Sequence, residues 1–292
     1  MREKIKTGIS ILIILILFPY VAVVLCTGSL QGTEKNEEES GLEEYVAGIL
    51  PGQFPLTGEE ELLKAQAVII RTNLLKKAME YYQTETMSEA AQALQEEDLE
   101  EMGFTYYSRQ EREEQWKYGQ KLLMAVEETA GQVVVCQEQP VDLPYHTVSA
   151  GMTRSGQELG QAYTYLEPVE CPDDRKSSDY LEIRYLEMDE IPEILERDES
   201  GYVTQVQVGE EILGGEEFRS RYELNSSYFT LESTEDGIRI TTRGLGHGMG
   251  LSLYQAGILA EEGADWLEIL MYFYKNVECI SFTESGYAMD KI

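Results

Sequence analysis

A mixed α+β fold follows from three features of the sequence. Residues 59–82 carry apolar side chains at helical spacing. Beyond Pro140 the texture changes to short runs that alternate or are rich in β-branched groups. The helical and strand patterns do not succeed one another as strict βαβ units, which favours α+β over α/β. The chain has 292 residues and 42% hydrophobic side chains, enough for a real core in one or two domains. Its formal net charge is -31. That excludes nucleic acid as a partner, because phosphates require Lys and Arg to replace their counterions. It also disfavours adhesion to anionic lipid beyond an anchor.

The N-terminus predicts such an anchor. Arg2, Lys4 and Lys6 precede residues 9–26, a run of 18 without charge, and Glu34, Glu37, Glu38 and Glu39 follow it. The run is long enough to cross a bilayer as a helix. Its basic flank keeps the N-terminus in the cytoplasm and exports the rest. The run exceeds a usual signal core and shows no convincing small-x-small cleavage site, so it reads as uncleaved. Cys26 follows Val-Val-Leu rather than a small residue, which argues against lipidation. The expected organisation is a cytoplasmic tip and transmembrane helix at 1–28, a linker at 29–42, an ectodomain at 43–284 and a tail at 285–292. The expected location is the cell membrane, single-pass, with the C-terminal domain outside.

In the ectodomain, residues 43–50 form a short apolar element. The first strong helix covers 59–82, with Leu63, Ala67, Ile70 and Leu74 as its buried stripe, Thr57 as its cap, and Glu59–Glu61 at the positive end of its dipole. Acidic residues 88–102 predict a second helix and residues 109–130 a third, ended by Gly131. Strands are expected at 133–135, 202–208, 228–232 and 237–242, the last two joined by a Glu-Asp-Gly turn. A glycine-rich loop at 244–250 leads into a helix at 252–262, and a last helix covers 266–276. Cys136, Cys171 and Cys279 permit at most one disulfide, and scattered cysteines with only two histidines make a zinc site improbable. No cofactor is expected.

Two stretches carry the chemistry. The loop GLGHGMG places glycine at every second position around His247. It lacks the Gly-Lys-Ser/Thr ending of a phosphate loop, so nucleotide binding is rejected. On the loop alone, a histidine hydrogen-bonded for structure is the plainer reading. The stretch YHTVSAGMT at 145–153 offers His146, Ser149 and Thr153 at a turn, without the G-x-S-x-G elbow of a serine hydrolase. Nineteen tyrosines could furnish stacking faces for sugar rings.

Taken in order, VAG…P…LLKAQAVIIRT, AVEETAGQVVV, YHTVSAGMTRSG…YLEPVECPDD, GLGHGMGLSLYQAGILAEEG and EILMYFY resemble the stage II sporulation protein D family, related to the amidase-enhancer proteins of Gram-positive cell walls. The resemblance covers about residues 43–281. It implies a membrane-anchored peptidoglycan protein, since the well-studied sporulation members are lytic transglycosylases acting beside an amidase. It implies glycan strands as ligand and a cell-wall amidase as partner. One carboxylic acid suffices for such cleavage: it protonates the glycosidic oxygen, then takes the proton of the muramyl hydroxyl that closes the anhydro ring. In the family that acid is a glutamate in a Glu-Met-Pro-like turn, eleven residues before the lysine of KAQAV. Eleven residues before Lys64 stands Gln53, in Gln53-Phe54-Pro55.

An amide in the catalytic seat predicts lost or weakened catalysis with retained sugar binding. The competing expectation is a working enzyme in which Glu59, Glu60 or Glu61 moves in. A third is a structural partner in a membrane–wall complex with no glycan affinity. After the glycine loop the family pattern Ser-Gln-x-Gly-Ala is replaced by Ser252-Leu253-Tyr254-Gln255-Ala256, so the groove floor is expected to differ. The resemblance implies substrate-binding roles for Lys64, Gln66, Arg71, His146, Ser149, Thr153, His247, Gly248, Ser252 and Tyr254, in an ectodomain with room for two lobes around a groove. For Arg71 a structural ion pair is the alternative.

Overall fold

The structure, a computed structural model, describes residues 41–54, 58–115, 119–157, 163–188, 191–235 and 237–283. The expected anchor and linker, the Thr57 cap and the tail lie outside the described residues. Among the described residues, no helix is long and apolar enough to cross a membrane.

Helix α1 (Gly41–Gln53) runs through Pro51, and α2 (Glu60–Tyr82) is the central helix. The expected single stripe on α2 understates its burial. Leu62, Ala65, Gln66, Val68, Ile69, Arg71, Thr72, Leu75 and Ala78 are buried as well, so the helix is enclosed nearly all round. Helix α3 (Met87–Ala93) starts on a capping box between Thr86 and Glu89, and then a 3₁₀ turn covers Glu96–Asp98. The expected helix over 88–102 therefore breaks at Leu94, whose ψ of 131° leaves the helical region. The expected helix over 109–130 is described as α4 (Arg109–Gln115) and α5 (Gly119–Glu128), with 116–118 outside the described residues.

Strand β1 (Gln132–Cys136) begins after Gly131, whose φ of +71° turns the chain. It pairs antiparallel with β2 (Gln139–Pro140) and with β11 (Glu278–Ser281). Two short strands, β3 (Tyr145–His146) and β10 (Leu251–Ser252), pair in parallel. Two further antiparallel sheets follow. One has the order β4–β9–β8, from Leu181–Glu187, Gly237–Arg243 and Phe229–Thr234. The other has the order β5–β6–β7, from Glu193–Arg197, Val203–Val208 and Glu211–Gly214. Helix α6 (Gly215–Arg221) follows β7, and α7 (Leu253–Glu261) and α8 (Trp266–Phe273) close the chain before β11.

Two apolar clusters result. The larger joins α1, α2, β1, α7 and α8, and the smaller joins Val203, Val206, Leu213, Phe218, Phe229, Ile238 and Ile240. Residues from Leu42 onward nevertheless form one compact unit. Polar side chains tie the helical half together. The Thr72 hydroxyl donates to Val68 O and accepts from the Val134 N–H, and the Asn73 amide pairs with both backbone groups of Leu143.

Candidate functional site

Helix α1 delivers Gln53. Its glycines let residues 104–107 lie against it: a Cβ on Gly48 would fall 2.1 Å from the Tyr106 ring. The Tyr107 N–H donates to Gly48 O at 3.0 Å. Phe54, buried, stacks on Tyr145 at 4.2 Å between ring centroids. The Tyr145 hydroxyl donates to Gln53 Oε1 at 2.8 Å. Burial pushes the Tyr145 phenol up to about 12, so it stays a protonated donor.

The glycine loop is pressed onto the other side of this strand. Gly244, Gly246, Gly248 and Gly250 have φ of +82°, +118°, +80° and +68°. A Cβ on Gly250 would fall 1.9 Å from Pro144 O, and one on Gly248 would enter the Tyr202 ring at 2.5 Å. The alternating glycines thus serve positive φ and close backbone approach together.

The two histidines join loop and strand. His146 is 4% exposed, and its Nδ1 lies 3.0 Å from Met249 O. A carbonyl only accepts, so Nδ1 carries the proton and Nε2 is left buried without a partner among the described residues. Burial, with His247 adding to it, lowers the His146 pKa to about 3. His247 has the opposite arrangement: its Nδ1 accepts from the Met249 N–H at 3.1 Å, and the ring also hydrogen-bonds the Tyr145 backbone. Burial lowers its pKa too, and the rings stand 5.8 Å apart. Near pH 7 both imidazoles are neutral and engaged with backbone.

Ser149 and Ser252 converge on a residue absent from the candidate set. Asp174 is fully buried and accepts from the Ser149 N–H at 2.7 Å and from the Ser252 hydroxyl at 2.8 and 2.9 Å. Burial raises its pKa, against the hydrogen bonds from Ser149 and Ser252. Ser252 also caps α7. Gln255, at the position where the resemblance expects glycine, accepts from the Asp173 N–H at 3.0 Å and so anchors the same 3₁₀ turn, Pro172–Lys176. Thr153 is likewise turned inward, accepting from the Val169 N–H at 2.8 Å. Its neighbour Arg154 donates to Asp198 at 2.7 Å and Glu216 at 3.0 Å, lies over Tyr202, and its backbone N–H donates to Gly248 O.

The remaining candidates are placed apart from this cluster or within the core. The Arg71 guanidinium is fully buried and pairs with Glu43, while also donating to Gln132 O and Val126 O. Its alternative role as a structural ion pair is the one its contacts describe. Lys64 faces Glu60, Glu61 and Glu128 at 3.1, 2.9 and 2.7 Å, and these acids, Glu128 foremost, raise its pKa. Gln66 has no exposure, and neither of its amide atoms has a partner among the described residues. Tyr254 is half-buried on α7 and its N–H donates to Thr147 O. Two of the three carboxylates named as replacements for a missing acid are engaged elsewhere: Glu60 and Glu61 hold Lys64, and Glu61 accepts from the Trp266 N–H at 2.9 Å at the start of α8.

Tyr145, Asp174 and Arg154 were not among the residues singled out from the sequence, although each lies inside a quoted motif. Buried polar groups are invisible to composition; only a partner far along the chain reveals them. Among the described residues, no group of three His, Cys, Asp or Glu is arranged to hold a metal ion, and Cys136, Cys171 and Cys279 are free thiols.

The unit is α+β, with a glycine loop stapled by two neutral histidines onto a strand that meets Gln53, and comparison with known proteins gives its family. The family profile SpoIID, "Stage II sporulation protein", matches residues 31–136. The chain is 30% identical over 264 residues to stage II sporulation protein D of Bacillus subtilis strain 168, covering 84% of this chain and 76% of that protein. It is 28% identical over 261 residues to stage II sporulation protein D of Bacillus amyloliquefaciens, covering 82% and 74%. An uncharacterized protein of Brachyspira hyodysenteriae is 25% identical over 263 residues, covering 84% and 68%. The chain belongs to the stage II sporulation protein D family.

Proposed function

We propose that this protein is a membrane-anchored, glycan-strand-binding member of its family in which lytic transglycosylase activity is lost or weakened. One observation carries the reading: Gln53, which the resemblance aligns with the family's catalytic acid, is an amide with no titratable proton, and its carbonyl is engaged by Tyr145. Loss of a general acid typically costs about 10²–10⁴ in rate, and more where one group serves both steps. Support also comes from Glu60 and Glu61, whose contacts with Lys64 and the start of α8 oppose their moving in. The uncharged run at 9–26 with its basic flank supports anchoring with the domain outside. A cell-wall amidase is the proposed partner, positioned or stimulated on the same strands.

The test compares wild type with Gln53→Glu on denuded glycan strands, with anhydro-muramyl ends counted by mass spectrometry. The expected result is little or no product from wild type and a gain of at least about tenfold from the variant. Robust cleavage by wild type would overturn the loss of catalysis. Failure of both forms to sediment with glycan would favour a purely structural partner.

A further inference from the structure

Gln53 and Tyr145 lie 92 residues apart in sequence and meet at 2.8 Å. A primary amide has one acceptor end and one donor end. Here the acceptor end is fixed in orientation: Oε1 receives the Tyr145 hydroxyl, whose proton burial holds in place near pH 7. Gln53 itself is half-buried at the end of α1, and no hydrogen bond to its Nε2 is formed by the described residues. Tyr145 is not free to turn away. Its ring is stacked on Phe54, its strand is paired to β10, and its backbone is hydrogen-bonded by the His247 ring.

We infer that Tyr145 is a positioning residue that sets the hydrogen-bond polarity of position 53, leaving the Gln53 Nε2 to donate to an acceptor on the sugar, with the acetamido carbonyl of an N-acetylated residue as its ligand group. This rests on the glycan-binding reading above. The acetamido carbonyl is the strongest neutral acceptor a glycan strand offers, and an amide N–H is its natural donor. A glutamate at this position would invert the arrangement. Both carboxylate oxygens accept, Tyr145 would still donate to one of them, and the sugar carbonyl would face a second acceptor instead of a donor.

Two measurements test this on the ectodomain, with thermal melts checking that each variant folds. The first needs no glycan. The introduced carboxyl is titrated by carbon-13 NMR in Q53E and in Q53E/Y145F. A hydrogen bond to the charged form favours it, so the carboxyl should titrate lower in Q53E by about one unit. Equal pKa values in the two variants overturn the role of Tyr145. The second is calorimetry with the N-acetylglucosamine tetramer and with cellotetraose, which lacks acetamido groups. Wild type should prefer the N-acetylated tetramer. Y145F and Q53E should each weaken its binding by about five- to tenfold, the worth of one hydrogen bond, and less than additively in combination. Additive losses, or equal affinity for the two tetramers, overturn the inference. If no form binds either sugar, the glycan reading fails, and the NMR comparison still decides what Tyr145 does.

Discussion

His146 shows what a buried imidazole does to acid stability. Its pKa is near 3 in the folded protein, against an ordinary 6.5, because burial disfavours the cation. The unfolded chain therefore binds a proton that the native state rejects as pH falls from 6.5 toward 3. Stability contributed by the neutral ring is full above pH 6.5 and declines through that window. The urea midpoint should fall between pH 7 and pH 5, before most carboxylates titrate, and the fall should shrink in His146→Gln. A midpoint unchanged between pH 7 and pH 5 in wild type would show the ring to be accessible to protons. This also separates two roles that the motif alone cannot. A histidine beside a glycine loop can be a base or a staple, and the Met249 backbone occupying both rings makes the second the better account. By contrast, the alignment of residue 53 with the family's acid came from the resemblance and a count back from Lys64, and such a count needs no packing to be read.

At the scale of elements, local patterns located the long helices and missed much of the second half. The helix at Glu60–Tyr82, the strand at Gly237–Arg243 and the helix that follows the glycine loop match patterns read along the chain. Strand β4 does not announce itself: Leu181–Glu187 alternates, yet none of its residues is buried, and pairing with β9 holds it in place. The glycine loop is an element defined by sterics. Gly250 combines φ of +68° with a Cβ position 1.9 Å from a backbone oxygen, so Gly250→Ala must displace the β3–β10 pairing. Its cost should reach several kcal/mol, read as a drop in the thermal midpoint, whereas Gly263→Ala should cost less, since nothing lies within 4 Å of its Cβ and only its φ of +97° is unfavourable for alanine. Arg71 locks four elements, α1, α2, α5 and β1, through Glu43 and two carbonyls. Arg71→Met should destabilise the protein in urea denaturation, by less than the about 3–5 kcal/mol of a fully buried pair, because Glu43 is 26% exposed and keeps the Gly131 N–H when its charge partner is gone. Glu43→Gln, which keeps an acceptor for the guanidinium, should cost less; equal losses would mean that packing rather than charge is at stake.

Across the whole molecule, 54 acids stand against 23 bases. Lys64 is shared among three glutamates and Arg221 between Glu211 and Glu217. Self-repulsion of this kind is long-ranged and screened by salt. Raising NaCl from about 50 mM to about 500 mM should therefore raise the thermal midpoint, even though surface ion pairs are weakened at the same time. A midpoint that falls with salt would mean that those pairs outweigh the net charge.

Periodicity, glycine spacing and residue counts are properties of neighbouring residues, so they were readable without coordinates. They supplied the α+β class, the central helix, the glycine loop around His247 and the amide at position 53. Contacts between residues far apart in the chain were not readable in this way. The Tyr145 hydroxyl on Gln53, the convergence of Ser149 and Ser252 on Asp174, and the withdrawal of Arg71 into the core each join segments separated by many turns of chain. The physical reason is that a polar side chain's role depends on which groups desolvate it and which satisfy it, and packing alone brings those groups together.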